Sequence, residues 1–157
     1  MPNQYTKPEQ VTDPTARYEV TVSTDKGDIV FAMDAAKAPQ SVNNFVFLAR
    51  EGYYNGLNFH RYEPGFVIQG GCPDGTGRGG PGYRFSDEPV IGDYIGGAVA
   101  MANSGPDTNG SQFFICLDDV RQLPKQYNLF GQVTKGMDVV GEIRAGDVMN
   151  TVTVADA

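Results

Sequence analysis

The side chains that most often carry enzyme chemistry are scarce and isolated in this chain. Its only histidine is His60, which excludes zinc sites built from three histidines and the HExxH helix of zinc peptidases. Its two cysteines, Cys72 and Cys116, belong to no CxxC pattern, which argues against a zinc ribbon and a disulfide framework. We interpret them as reduced structural thiols, and we expect neither a metal nor a cofactor.

Two further patterns that could suggest chemistry lack the context that the chemistry needs. Residues 75–80 (GTGRGG) match GxGxxG, but a dinucleotide site requires that motif between a strand and a helix. Here Pro81 and Gly82 follow without helical periodicity, so the sequence predicts a glycine-rich surface loop. A serine hydrolase is disfavoured too, because the chain has no GxSxG elbow and His60 is the one available base.

Two polar residues fall among apolar side chains where a strand pattern would align them. If residues 57–62 form a strand, Arg61 shares a face with Leu57 and Phe59, beside apolar neighbours. The ordinary interpretation is an arginine whose charged end reaches water. Gln112 and Phe114 share a face of another strand, where a buried glutamine must find partners or face a cleft. Each observation alone is a weak indication of a site.

Composition limits the classes of partner and the cellular setting. The 157 residues include 12 Lys and Arg against 19 Asp and Glu, a net charge of −7 that disfavours binding to nucleic acid or to a membrane surface. No apolar run approaches the roughly 18 residues that span a bilayer, and residues 1–7 do not resemble a signal peptide. We expect a cytoplasmic protein without a membrane or nucleic-acid partner, and a monomer.

The elements that would position these residues are mostly strands. Residues 1–16 hold three prolines and little apolar material, so we expect a flexible N-terminal arm before a single domain at 17–157. Alternation from Tyr18 to Ser23, a turn at 25–28 and an apolar run at 29–33 predict a hairpin. Helical spacing predicts helices at 39–51 and 137–143. Further strands are expected at 57–62, 66–69, 97–102, 112–117, 129–133 and 151–154. Periodicity alone leaves a barrel and a sandwich open.

Taken together, these segments resemble a known family. Residues 59–71 (FHRYEPGFVIQGG) look like the first signature of the cyclophilin-type peptidyl-prolyl isomerases, and residues 101–115 (MANSGPDTNGSQFFI) are similar to the second. Residues 129–133 and 136–140 resemble later family segments, in order and at family spacing. The resemblance implies a mainly β fold, a closed eight-stranded antiparallel barrel capped by two helices. It also implies peptidyl-prolyl cis-trans isomerase activity that assists protein folding.

The resemblance implies a role for each matching position. Arg61 would be the catalytic arginine, and the walls of a proline pocket would be Phe66, Val67, Phe114 and Leu123. The residues that bind the substrate backbone or support Arg61 would be Gln69, Ala102, Asn103 and Gln112. Tyr127 takes a position where many members have histidine, and His60 flanks the site. The partners implied are proline-containing peptides and flexible protein segments.

The chain departs from the family pattern at two positions. Gln122 stands where cyclosporin-sensitive members have tryptophan, and Val67 stands where many have methionine. We therefore expect cyclosporin A to bind with reduced affinity, while Arg61 and Phe114 keep catalysis in place. A non-catalytic proline-peptide binding module is the alternative interpretation. It predicts binding without faster isomerisation, and the retained Arg61 argues against it.

Overall fold

A computed structural model describes residues 3–157 of the chain, which form eight strands and two helices. The elements are β1 (Arg17–Thr24), β2 (Gly27–Asp34), α1 (Pro39–Arg50), β3 (Phe59–Glu63), β4 (Val67–Gly70), β5 (Ala98–Met101), β6 (Phe113–Cys116), β7 (Leu129–Lys135), α2 (Met137–Glu142) and β8 (Thr151–Asp156). Every strand and helix that the sequence predicts is present, with ends shifted by a few residues. Within residues 3–157, no helix is both long enough and apolar enough to cross a bilayer.

The hairpin of β1 and β2 shows how alternation in the sequence becomes a buried face. Tyr18, Val20 and Val22 are at most 4% exposed, while their neighbours on β1 are partly or fully exposed. The register pairs Val20 with Phe31 and ends at Thr24 opposite Gly27. Because successive side chains on a strand point to opposite faces, one apolar set enters the core and the polar set faces outward.

The eight strands form one antiparallel sheet in the order β3-β4-β6-β5-β7-β2-β1-β8. The expectation of a closed barrel is corrected here, because β3 and β8 are edges and the sheet is a curled half-barrel. Backbone hydrogen bonds link residues 56–59, at the start of β3, with residues 146–149, before β8. These residues form one isolated bridge, Asn58 with Val148, and no ladder joins β3 to β8. β8 begins only at Thr151, after this bridge, so the eight strands do not close into a continuous ring.

Helix α1 covers one opening of the curled sheet and takes its N-terminal cap from a distant loop. Its first residue is Pro39, and the preceding Ala38 has no side chain that could accept a hydrogen bond. The carboxylate of Glu88 replaces that cap by accepting bonds from the amides of Gln40 and Ser41 at 2.7 and 2.9 Å. The 71–97 loop is thereby fixed to the helix.

The main core lies between α1 and the inner face of the sheet. Phe45 of α1 is fully buried and packs against the rings of Phe31, Tyr54 and Phe113, with centroids 4.8–5.5 Å apart. Edge-to-face and offset contacts of this kind add to the free energy gained from burying apolar area. This packing stiffens strands β2 and β6, and β6 carries part of the site on its other face.

The N-terminal segment has no regular secondary structure but lies against α1. The Asn43 side chain accepts hydrogen bonds from the amides of Val11 and Thr12 at 2.8 and 3.1 Å and donates to the carbonyl of Glu9. The Tyr5 ring meets Phe47 edge-on at 5.1 Å. The flexibility of residues 1–16 stays a prediction, and Met1 and Pro2 lie outside the described residues. The contacts dock Tyr5, Glu9, Val11 and Thr12 on the helix.

Removing the Asn43 amide should release this segment and destabilise the protein. In Asn43→Ala, the partly buried amide of Val11 and the buried amide of Thr12 lose their acceptor, so we expect the free energy of unfolding to fall by about 1–3 kcal/mol. Urea unfolding measures the change. The control is Asn150→Ala, which removes an exposed hydrogen bond to Asp25 and should change stability by less than about 0.5 kcal/mol. Equal effects of the two substitutions would contradict a docked segment.

Candidate active site

A bulge in β3 decides where Arg61 points. Phe59 pairs with Gly70 and Arg61 pairs with Gln69, so His60 is an extra residue without a partner on β4. Because Gly70 and Gln69 are consecutive, their partners lie on opposite faces of the sheet. Phe59 is fully buried in the core, whereas the Arg61 side chain is 44% exposed on the outer face. The prediction that Arg61 shares a face with Leu57 and Phe59 is wrong for this reason.

The register of the sheet aligns the site residues in one row on the outer face. Arg61 lies opposite Gln69, Gln69 opposite Phe114, Phe114 opposite Ala100, and Ala100 opposite Leu129. Directly opposed residues of an antiparallel sheet lie side by side on the same face. The row therefore runs from the guanidinium across polar Gln69 to the apolar side chains of Phe114, Ala100 and Leu129.

Two glutamines hold the guanidinium of Arg61 through consecutive hydrogen bonds. Arg61 Nη1 donates to Gln69 Oε1 at 3.3 Å, and Gln69 Nε2 donates to Gln112 Oε1 at 3.3 Å. The carboxylate of Glu63 lies 3.4 Å from Arg61 Nε and compensates part of its charge. Within residues 3–157, Arg61 Nη2 donates no hydrogen bond, so this end of the five-donor guanidinium remains available to a ligand.

The side-chain amide of Gln112 is fully used inside the protein. Its Nε2 donates to the carbonyls of Gly77 and Gly79 at 2.9 and 3.0 Å, and its Oε1 accepts from Gln69. The glycine-rich loop is thereby connected to Arg61 through two side chains. Gln112 is half-buried rather than buried, and it also lines the cavity beneath that loop.

The apolar part of the site is a second cluster, separate from the main core. Val67 and Phe114 are 2% and 5% exposed, and partly buried side chains pack around them: Phe66, Ala102, Leu123 and Tyr127. The rings of Phe114 and Tyr127 meet edge-on at 5.6 Å. The Arg61 guanidinium lies 5.8 Å from the centroid of the Phe66 ring, so the charge borders the apolar cluster directly.

The remaining predicted site residues frame the same surface. The amide of Ala102 donates to the carbonyl of Gln112 at 3.0 Å, which continues the sheet beyond β5 and β6. Asn103 follows, and its side chain donates to the carbonyl of Gln126 at 2.8 Å. That bond connects the loop after β5 to the loop that carries Leu123 and Tyr127. Strand pairing, hydrogen bonds and apolar packing therefore bring nine of the other predicted residues together with Arg61.

His60 is placed differently, underneath the glycine-rich loop. Its Nε2 lies 3.4 Å from where a side chain at Gly77 would begin, and its Nδ1 is buried without a hydrogen-bond partner among residues 3–157. Gly77 has φ +86°, a conformation that favours glycine. Burial, and secondarily the nearby charge of Arg61, lower the pKa of His60 below its usual 6.5. Burial therefore favours the neutral form of His60, whose ring lies against the loop at Gly77.

Sequence reasoning missed Tyr94, which holds the apolar cluster in place. Tyr94 is fully buried in the long loop before β5, and its hydroxyl donates to the carbonyl of Tyr127 at 2.6 Å while accepting from the amide of Tyr127. Burial raises the pKa of Tyr94 to about 12, so the hydroxyl keeps its proton as a donor. A lone tyrosine among turn residues has no periodicity that could have revealed it.

Comparisons with known proteins identify the family of this chain. A family model described as cyclophilin type peptidyl-prolyl cis-trans isomerase/CLD matches residues 19–157. A peptidyl-prolyl cis-trans isomerase of Helicobacter pylori is 42% identical, over 92% of this chain and 98% of the relative. The peptidyl-prolyl cis-trans isomerase B of Bacillus subtilis is 46% identical, over 83% of this chain and 92% of the relative.

Solved structures give the same result. The crystal structure of a cyclophilin type peptidyl-prolyl cis-trans isomerase from Cryptosporidium parvum superimposes with a TM-score of 0.82 at 31% identity, covering 90% of this chain and 99% of that chain. A second structure of that protein, in the presence of the dipeptide Ala-Pro, superimposes with a TM-score of 0.81. The chain therefore belongs to the cyclophilin-type peptidyl-prolyl cis-trans isomerases, enzymes that accelerate rotation about X–Pro peptide bonds.

The half-buried position of His60 predicts a measurable pH dependence of stability. Since its pKa is lower in the folded than in the unfolded protein, the unfolded state binds more protons below pH 6.5. The stability contributed by neutral His60 is complete above pH 6.5 and is lost as the pH falls toward the folded-state pKa. NMR titration of the imidazole should give a midpoint below 6.5. A midpoint at or above 6.5 would contradict burial of this ring beneath the loop.

Proposed function

We propose that Arg61 is the catalytic residue of this isomerase and that the apolar cluster holds the substrate proline. The observation that supports this most is the position of an available guanidinium end directly beside a partly buried apolar surface. The proline ring would pack among Phe66, Phe114 and Leu123, with its nitrogen toward Arg61. We further propose that residues 17–157 form the catalytic domain.

The reduction of the rotation barrier that catalysis requires is small enough for such a site to supply. Resonance gives the amide a rotation barrier of roughly 18–20 kcal/mol, and uncatalysed X–Pro exchange takes tens to hundreds of seconds. Exchange in milliseconds requires about 10⁴-fold acceleration, equivalent to lowering the barrier by roughly 5–6 kcal/mol. The rotation neither forms nor breaks a covalent bond, so hydrogen bonding and desolvation suffice to lower the barrier.

Arg61 would stabilise the twisted transition state more strongly than the planar ground states. When the amide twists, conjugation is lost and the lone pair of the proline nitrogen becomes a hydrogen-bond acceptor. A donor that engages this lone pair binds the transition state selectively, which is the requirement for catalysis. A hydrogen bond from a charged donor contributes about 1.5–3 kcal/mol. Exclusion of water by the apolar walls would supply the remainder.

The hydrogen bonds around Arg61 favour supporting roles for both glutamines. Gln69 contacts the guanidinium, and Gln112 has each of its polar atoms occupied by Gln69 or the glycine-rich loop. We assign them to positioning Arg61. Backbone contacts to the peptide would come from residues 102 and 103 at the open end of β5, with Val67 and Tyr127 completing the walls of the proline pocket.

The departure at Gln122 is consistent with weak binding of cyclosporin A. Gln122 is exposed beside the half-buried Leu123, at the rim of the proposed pocket. A tryptophan there would offer a large apolar surface to a hydrophobic ligand, and a glutamine offers little. We propose that Gln122 lowers the affinity for cyclosporin A but not for small proline peptides, which contact only the walls of the proline pocket.

Substitution of Arg61 tests the catalytic role. In Arg61→Ala, we expect cis/trans exchange of an Ala-Pro-Phe peptide, measured by NMR exchange spectroscopy, to slow at least tenfold because the donor to the proline nitrogen is gone. The fold should persist, since the side chain is 44% exposed and lies outside the main core.

Arg17→Ala is the matched control, because Arg17 is an exposed arginine on β1 that lies within ion-pair distance of Asp34. It should exchange the peptide at the wild-type rate. Wild-type turnover in Arg61→Ala would overturn the assignment of this residue. Chemical-shift changes on peptide addition to the wild-type protein, without faster exchange, would instead favour the non-catalytic binding module.

A further inference from the structure

A cavity of about 740 Å³ lies next to the proposed proline site, on the other side of Gln112. Its lining includes four residues of the site itself, Gln69, Ala102, Asn103 and Gln112, so the two spaces adjoin. Residues 77–80 of the glycine-rich loop and the residues that follow it, 81–84, line another part of the cavity. An extended peptide advances about 3.3–3.6 Å per residue, so a segment bound at the proline site reaches this cavity within a few residues.

The charge of this cavity is opposite to the charge of the whole chain. Arg78 and Arg84 line it, and both are exposed. Within residues 3–157, neither guanidinium lies within ion-pair distance of a carboxylate, and no Asp or Glu lines the cavity. Arg61 differs, since Glu63 lies beside it. In a chain with 19 acidic residues and a net charge of −7, two arginines without carboxylate partners in one cavity are a distinct feature.

The cavity has one wall that lies outside the residues matched by the family model. The Gln4 side chain lines it and donates to the carbonyl of Gly80 at 3.0 Å, and the amide of Tyr5 donates to the carbonyl of Pro81 at 2.7 Å. Gly82 has φ +100°, and a side chain there would overlap the backbone of Tyr5. The docked N-terminal segment thus fixes the loop that carries Arg78, and the family match begins only at residue 19.

We propose that this cavity binds an acidic side chain of the same peptide segment whose proline occupies the site beside Arg61. The inference rests on the proposed function and deepens it by naming a substrate class, prolines flanked at short distance by glutamate or aspartate. Arg78 and Arg84 are the specificity-determining residues. A substrate carboxylate would receive charge-assisted hydrogen bonds there, in a space that contains no competing carboxylate of residues 3–157.

The expected preference is moderate because the two arginines are exposed. Ion pairs at exposed sites are weak and are screened by salt, so a carboxylate shared by two guanidinium groups should raise kcat/KM about threefold to tenfold over a neutral isostere. The preference should appear mainly in KM, since the contact is made in ground and transition states alike. It should shrink toward one when the salt concentration is raised to about 0.5 M.

The test uses capped peptides that differ by one charge. Glu-Ala-Pro-Phe and Ala-Pro-Phe-Glu, each paired with its Gln counterpart, place the carboxylate before or after the proline. NMR exchange rates at low salt give kcat/KM for each peptide. We expect the wild-type protein to prefer Glu over Gln in one of the two placements. The double variant Arg78→Gln/Arg84→Gln should lose that preference, and the control Arg17→Gln should retain it.

The outcomes separate this inference from the proposed function. Equal rates for Glu and Gln peptides in both placements, or a Glu preference that survives in the double variant, would overturn the acidic subsite. In either case, rapid exchange of the Gln peptides would leave the role of Arg61 intact. Failure of the role of Arg61 would appear as undiminished rates in Arg61→Ala, on Glu and Gln peptides alike. Thermal unfolding of the double variant near the wild-type midpoint confirms that a lost preference is local.

Discussion

The structure depends on one local constraint, the bulge that turns Arg61 away from the core while Phe59 remains inside it. A regular strand would place the two side chains on the same face. With the bulge, the guanidinium reaches the outer face at the point where Gln69 can accept its hydrogen bond. The extra residue, His60, lies beneath the glycine-rich loop, where burial favours its neutral form. The bulge therefore places the Arg61 guanidinium on the outer face and places His60 against the neighbouring loop.

The inner face of the sheet carries the main core, and the outer face carries the proposed catalytic site. The inner face packs on α1 through interlocking aromatic rings, which keep β6 rigid. The outer face of the same strand presents Phe114 in the second apolar cluster, and side-chain hydrogen bonds continue from Gln69 through Gln112 to the loop at 77–82. The loop is bonded in turn to residues 4 and 5, so hydrogen bonds connect the N-terminal segment to the proposed catalytic face. A site that must recognise a twisted amide benefits from such preorganisation.

Much of this arrangement could be predicted from the sequence, and the exceptions have physical causes. Alternation predicts the β1–β2 hairpin, and Pro39 with its helical spacing predicts α1. The bulge at His60 escaped prediction because no local residue signals it, and the expected closed barrel proved to be a sheet with two edges. The family resemblance located the residues around Arg61, whereas Tyr94 and the pair Arg78 and Arg84 lie in a long irregular loop. Residues of such loops meet through tertiary contacts, which periodicity cannot reveal.

The central claim is that catalysis requires a guanidinium fixed by Gln69, and one substitution isolates that requirement. Gln69→Met keeps Arg61 and nearly the same side-chain volume but removes the acceptor 3.3 Å from Nη1. Exchange of the Ala-Pro-Phe peptide at saturating concentration should slow roughly two- to tenfold, the effect of one lost hydrogen bond, with little change in KM. An unchanged exchange rate at saturation would contradict the account, since it would mean that Arg61 acts without being held in place.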